Sequence, residues 1–196
     1  MSIIKRLWLR LNPSVKMVSF LQTNFLIVII LNSGNFFNYV FQLIIARSLS
    51  AADYGIFNAL NSFSMMVIAP LGVIPFIITR YTVRLSANQL EQVKMLLWQF
   101  FQGLFLIGIA LLAIGLLTLS WLKSYLHITS NIPLLITIVT AIFSLFSPIL
   151  LSTLQGLHRL IAFSWVGTGA TIIRVILALI LVTWLGWGVN GALLTG

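Results

Sequence analysis

Long apolar runs, each closed by a short polar or charged segment, set the rhythm of this chain. The runs over 19–46, 54–79, 94–121, 132–154 and 161–184 are each long enough, as helices rising about 1.5 Å per residue, to cross a hydrocarbon core of about 30 Å. A sixth begins near Val189 and stops at Gly196, too soon to cross. The chain is therefore expected to be a piece of a longer protein that ends inside an element barely begun. The pattern predicts an all-α, polytopic transmembrane helix bundle of about five full spans plus the start of a sixth. A basic segment, 1–18, precedes one transmembrane domain, 19–196. Lys5, Arg6, Arg10 and Lys16 imitate the start of a signal peptide, but the apolar run that follows continues to Ala46 and is too long for one. It reads as an uncleaved first span.

The polar breaks carry local signals of their own. Ser50-Ala-Ala-Asp53 and Ser86-Ala-Asn-Gln89 fit the capping box, in which a hydroxyl accepts from the third helical N–H and an acid or amide reaches back. Trp121, Tyr125, Trp184 and Trp187 cluster at one boundary, as an aromatic belt requires. Pro70, Pro75 and Pro148 fall within or near the ends of spans, where proline kinks helices and frees carbonyls.

Composition sharpens the class. Hydrophobic residues make up 60% and charged residues 7%, with a mean hydropathy of +1.12, against roughly a quarter charged in a soluble domain. The net charge of +9 would point to nucleic acid in a soluble protein, but here most basic residues flank apolar runs, so membrane lipids are the expected partner and nucleic acid is not. With the N-terminus cytoplasmic, Lys5, Arg6, Arg10, Lys16, Arg80, Arg84, Lys94 and Arg159 lie inside, whereas Arg47 and Lys123 lie outside. Such asymmetry over short loops orients the chain. Zero cysteines exclude disulfides, thiolate metal sites and cysteine nucleophiles.

Arg174 is left near the midpoint of the fifth span, where insertion costs about 2.5–3.5 kcal/mol and a polar surrounding is expected. Gly167, Ala170, Thr171 and Ala178 form a small, partly polar stripe around it. Its planar, permanently charged fork suits phosphate in a hydrated cavity, and backbone carbonyls at a packing interface are the structural alternative. Asn35, Asn38 and Gln42 share one face of the first span, with Asn32 one turn earlier. The second span carries Asn58, Asn61 and Ser62, and the third Gln99 and Gln102. Such amides either line a pathway for hydroxyl-rich ligands or bond helix to helix. Arg47 and Asp53 flank the first loop, as a local ion pair or as charges at an outer mouth. Arg80, Arg84, His158 and Arg159 are read as topology and lipid contacts, and His127 as a solvated loop residue. Neither of the two acids lies at depth, and no catalytic dyad, metal cluster or phosphate loop can be assembled, so a non-enzymatic role without cofactor is expected.

Several segments carry a resemblance. Asn35-Phe-Phe-Asn-Tyr-Val-Phe-Gln42, leading into Ala46-Arg-Ser-Leu-Ser-Ala-Ala-Asp-Tyr-Gly-Ile-Phe57, resembles the opening of bacterial polysaccharide-unit flippases of the multidrug/oligosaccharidyl-lipid/polysaccharide exporter superfamily. Thr79-Arg-Tyr81, Leu154-Gln-Gly-Leu-His-Arg159 and Gly186-Trp-Gly-Val-Asn-Gly-Ala192 extend the likeness. It implies the first lobe of a transporter of twelve or fourteen helices in the bacterial inner membrane, with a cavity of alternating access. The implied cargo is an undecaprenyl-pyrophosphate-linked sugar repeat unit, and the implied neighbours are polysaccharide polymerase or ligase machinery. Arg174 is then the main candidate for the pyrophosphate and Arg47 a weaker one, with Asn35, Asn38, Gln42 and Asn61 toward the sugars. A cation-coupled drug antiporter of the same superfamily and a small accessory membrane subunit remain open on the residues alone.

Overall fold

A computed structural model describes residues 13–86, 90–125 and 130–195, with side chains from residue 21 onward except at 86 and 90. Lys5, Arg6, Arg10, the second capping box and His127 lie outside the described residues. Among those described there is no strand, and the elements run α1 (Pro13–Ser48), α2 (Ala51–Ile68), a 3-10 segment (Ala69–Val73), α3 (Ile74–Ser86), α4 (Leu90–Leu117), α5 (Leu119–Tyr125), α6 (Ile132–Ser144), α7 (Ser147–Gly156), α8 (Leu160–Ala178), a π-helical turn (Leu179–Trp184) and α9 (Gly188–Leu194). Among the described residues, five helical stretches are long and apolar enough to span a membrane: Leu21–Ser48, Ala51–Leu85, Glu91–Leu117, Ile132–Gly156 and Leu160–Trp184. The chain is thus an all-α, multi-pass bundle. Below, the near side is the face at which α1 begins.

The first turn between spans follows the capping logic. Ser50 is the N-cap of α2, and its Oγ accepts from the Asp53 N–H at 3.2 Å. The reciprocal half differs from the standard box, because the Asp53 carboxylate accepts from the Ser50 hydroxyl at 2.8 Å. With Asp53 in the first turn of α2 and Arg47 in the last turn of α1, each charge complements its helix dipole.

Each of the second and fourth spans is broken into two helices. In the second, Pro70 lacks the N–H a continuous helix needs, so the chain tightens into the 3-10 segment Ala69–Val73 before α3 starts with Pro75 in its first turn. In the fourth, Leu145 and Phe146 close bonds of the 3-10 kind to Ile142 and Phe143 at 3.2 Å each, and Pro148 opens α7. The near-side halves, α3 and α7, then pack very closely. A Cβ built on Gly156 would stand 2.6 Å from Thr82 Cβ and 3.0 Å from the Thr79 carbonyl oxygen, and Thr79 donates to the Ser152 carbonyl at 3.2 Å. Small residues are what allow helices to approach this closely in lipid. A second contact of this kind joins α1 to α8, where Thr168 packs on Gly34 and donates to the Ile30 carbonyl at 2.8 Å.

At the end of α7, the Arg159 N–H reaches the Leu154 carbonyl at 2.9 Å and the His158 N–H reaches Gln155 at 3.1 Å. These are the two bonds of a Schellman cap, which puts His158 in the left-handed region at φ 54°. On the far side, Trp121 and Tyr125 stack at 5.4 Å, and Trp184 is 89% exposed, consistent with rings placed at a membrane boundary.

Gly156→Ala should lower detergent-solubilised stability by about 1–3 kcal/mol through overpacking against Thr82, read as a fall in the thermal midpoint. His158→Gly should raise stability by roughly 0.5–1 kcal/mol, because glycine occupies a left-handed C′ position without a Cβ clash, read in the same assay.

Candidate functional site

The first, second, fourth and fifth spans and α9 line a partly open cavity of about 420 Å³. α1 contributes Asn38 and Gln42. α2 contributes Asn61 and Ser64 beside the apolar Phe57, Met65 and Ile68. α6 contributes Thr137, Thr140 and Ser144, and α8 contributes Arg174. Helical spacing explains the alignment. Asn38 and Gln42 lie one turn apart, as do Thr137, Thr140 and Ser144, so each helix offers one polar stripe to the same space.

Arg174 stands near the middle of Leu160–Trp184. Its Cζ lies 4.0 Å from the centroid of the Phe41 ring, which is fully buried and packs in turn against Phe57 at 6.4 Å. The guanidinium is therefore held over the negative face of an aromatic ring, a contact worth about 2 kcal/mol when desolvated. Its Nε is buried without a hydrogen-bond partner, and among the described residues Arg174 forms no ion pair. Of the two resolutions open to the sequence, carbonyl satisfaction at a packing interface is not what the side chain finds. Thr171, one of its small neighbours, donates to the Gly167 carbonyl, and Ala178 is fully buried in the core.

The amides divide into two sets. Asn32 donates to the Val28 carbonyl at 2.8 Å and Asn58 to the Tyr54 carbonyl at 3.0 Å, so both are spent on their own helices. Asn38, Gln42 and Asn61 make no such bond among the described residues, and all three line the cavity with Arg174. The hydroxyls complement them. Thr137, Thr140 and Ser144 donate to the carbonyls of Pro133, Ile136 and Ala141 at 2.8, 2.9 and 2.7 Å, which commits their protons and leaves oxygen lone pairs as acceptors. The lining thus joins one fixed cation and several amides to hydroxyl acceptors, a combination able to hold an anion next to a hydroxyl-rich group.

Of Arg174, Arg47, Asn35, Asn38, Gln42 and Asn61, the candidates from the sequence, Arg174, Asn38, Gln42 and Asn61 line this one cavity. Asn35 is exposed on α1 and does not line this cavity, although it shares a face with Asn38 in the helical pattern. Arg47 is exposed at the far-side end of α1, outside the cavity and without an ion pair to Asp53. The ion pair among the described residues is Lys94–Glu91, at 2.7 Å on α4. Gln99, counted earlier as a third polar face, lines a separate apolar recess with Ile74, Phe100 and Leu104. The stripe on α6 was missed because threonine and serine inside an apolar run read as tolerated helix residues. The available signal was their spacing.

No family model matches the chain, and neither a curated protein nor a solved structure matches it.

Replacing Arg174 separates a structural from a ligand-binding cation. Arg174→Met removes an unpartnered buried Nε and retains apolar bulk over Phe41. Its thermal midpoint in detergent should equal or exceed that of the parent, since the cost of an unpaired mid-span arginine, about 2.5–3.5 kcal/mol, is larger than the cation–π contact of about 2 kcal/mol that is lost. A lower midpoint would assign Arg174 to packing.

Proposed function

We propose that this chain takes an anionic, hydroxyl-rich amphiphile into the Arg174 cavity, and that the ligand is a pyrophosphate-linked oligosaccharide on a polyprenyl lipid, moved across the bacterial inner membrane. In this reading the N-terminus is cytoplasmic. The observation that carries it is Arg174, charged and at mid-span, resting on Phe41 with a buried Nε that no described group satisfies. A cation kept at that depth without a protein counter-charge favours an anion supplied by the ligand. Pyrophosphate oxygens match the guanidinium fork. The free amides of Asn38, Gln42 and Asn61, with the hydroxyl oxygens of α6, offer donors and acceptors to sugar hydroxyls. The lipid tail stays among the apolar helix faces, so only the head group needs a polar path. The likeness of the Asn35–Gln42 and Arg47–Phe57 segments to polysaccharide-unit flippases points the same way.

The test compares undecaprenyl pyrophosphate with undecaprenol by native mass spectrometry of the purified protein. The parent should bind the pyrophosphate lipid at least about tenfold more tightly, equivalent to roughly 1.4 kcal/mol, and Arg174→Gln should abolish that preference. Equal affinity for the two lipids, or a preference untouched by Arg174→Gln, would end this reading.

A further inference from the structure

The breaks in the second and fourth spans lie side by side. Leu71, Gly72, Ile74 and Pro75 of the first break and Leu145 and Pro148 of the second line one small void of about 50 Å³, backed by Leu104 of α4. Two spans thus lose regular α-helical bonding at the same place, and the space between the breaks is incompletely filled. The gap is partly open to the surface at Gly72, and the side chains around it have fewer contacts to resist a change of angle.

On the near side of the breaks the packing is the opposite. α3 and α7 are locked by the Gly156–Thr82 approach and by the Thr79–Ser152 hydrogen bond, with Ile78 and Thr82 fully buried between them. Neither helix can tilt alone without breaking that contact, so the two are one body joined to the rest of their spans by two aligned joints. The joints also adjoin the Arg174 cavity. Ile68, the last residue of α2, lines both the cavity and the void, and Ser144, the last residue of α6, lines the cavity directly before Leu145 lines the void.

From this arrangement we infer that α3 and α7 swing together about 69–73 and 145–147, as a gate on the near-side end of the Arg174 cavity. Proline supplies the joint at each break by removing a backbone donor, so bending there costs little hydrogen bonding that has not already been lost. The near-side body moves as a lever, and a small angular change at the void becomes a larger displacement at Arg80 and Arg84, where it would open a path from the near face to Arg174. The gating role rests on the proposed function, whereas the motion itself does not.

Absence of cysteine makes the test direct. In the full chain, reconstituted in nanodiscs, spin labels at Leu21→Cys and Tyr81→Cys report the near-side body against α1, and labels at Tyr81→Cys and Leu150→Cys report distances within it. The first pair should show two populations separated by about 5 Å, roughly one helical turn, whose ratio shifts on adding undecaprenyl pyrophosphate. The second pair should hold one distance throughout. In Pro70→Ala/Pro75→Ala the second population of the first pair should be lost. A single distance for the first pair under every condition would overturn the hinge, and so would movement within the second pair. If the first pair moves but does not respond to the lipid, and Arg174→Gln leaves lipid binding intact, the hinge stands and the ligand assignment falls.

Discussion

Inside a bilayer there is no water to accept what the protein leaves unbonded, and an orphaned peptide group there costs several kcal/mol. Most of this structure follows from that cost. The backbone satisfies itself by becoming helix. Hydroxyls that sit in apolar runs turn back onto their own helices, as Thr137, Thr140, Thr153 and Ser164 do with the carbonyls three to four residues earlier. Since lipid tails are as apolar as leucine, helix association cannot draw on the hydrophobic effect and depends on close approach. Gly156 against Thr82 and Gly34 against Thr168 are where that approach is achieved.

Against this background the exceptions carry the functional meaning. Asn38, Gln42 and Asn61, free of their own helices, line one cavity, and its single cation is poised on an aromatic ring in place of a carboxylate. Phe41 holds Arg174 without neutralising it. A salt bridge would stabilise the arginine more, but it would also satisfy the charge that a phosphate-bearing ligand is proposed to meet. The unpartnered Nε supports the proposal of a site that its ligand completes.

The second class of exception is in the backbone. Irregular main chain at membrane depth is tolerated where protein covers it, and here the cover is partial: the breaks meet each other and α4, through Leu104 and the Phe101–Phe146 contact at 5.0 Å, while Ala69, Pro70, Gly72 and Val73 stay exposed. A stiff near-side body, α3 with α7, meets a less tightly filled junction at the level where the cavity ends. The proposed binding site and the proposed joints are thus neighbours in the fold.

Span number, approximate boundaries and the Ser50 cap were legible in the sequence, because each depends on hydropathy or on groups within four residues of one another. So was the exceptional standing of Arg174, since charge at mid-span conflicts with its solvent whatever surrounds it. Which amides are free was not legible. Asn32, Asn35 and Asn38 look alike along α1, and all three are exposed, yet one is spent on its own helix, one lies away from the cavity and one lines it, according to how α1 rotates against α8. Prolines could announce breaks in two spans but not that the breaks adjoin. Phe41 under Arg174 and the hydroxyl stripe of α6 likewise come from residues far apart in the chain. Local chemistry decides what each segment is, whereas helix rotation and register, set by close contacts such as Gly34–Thr168 and Gly156–Thr82, decide which segments share a site.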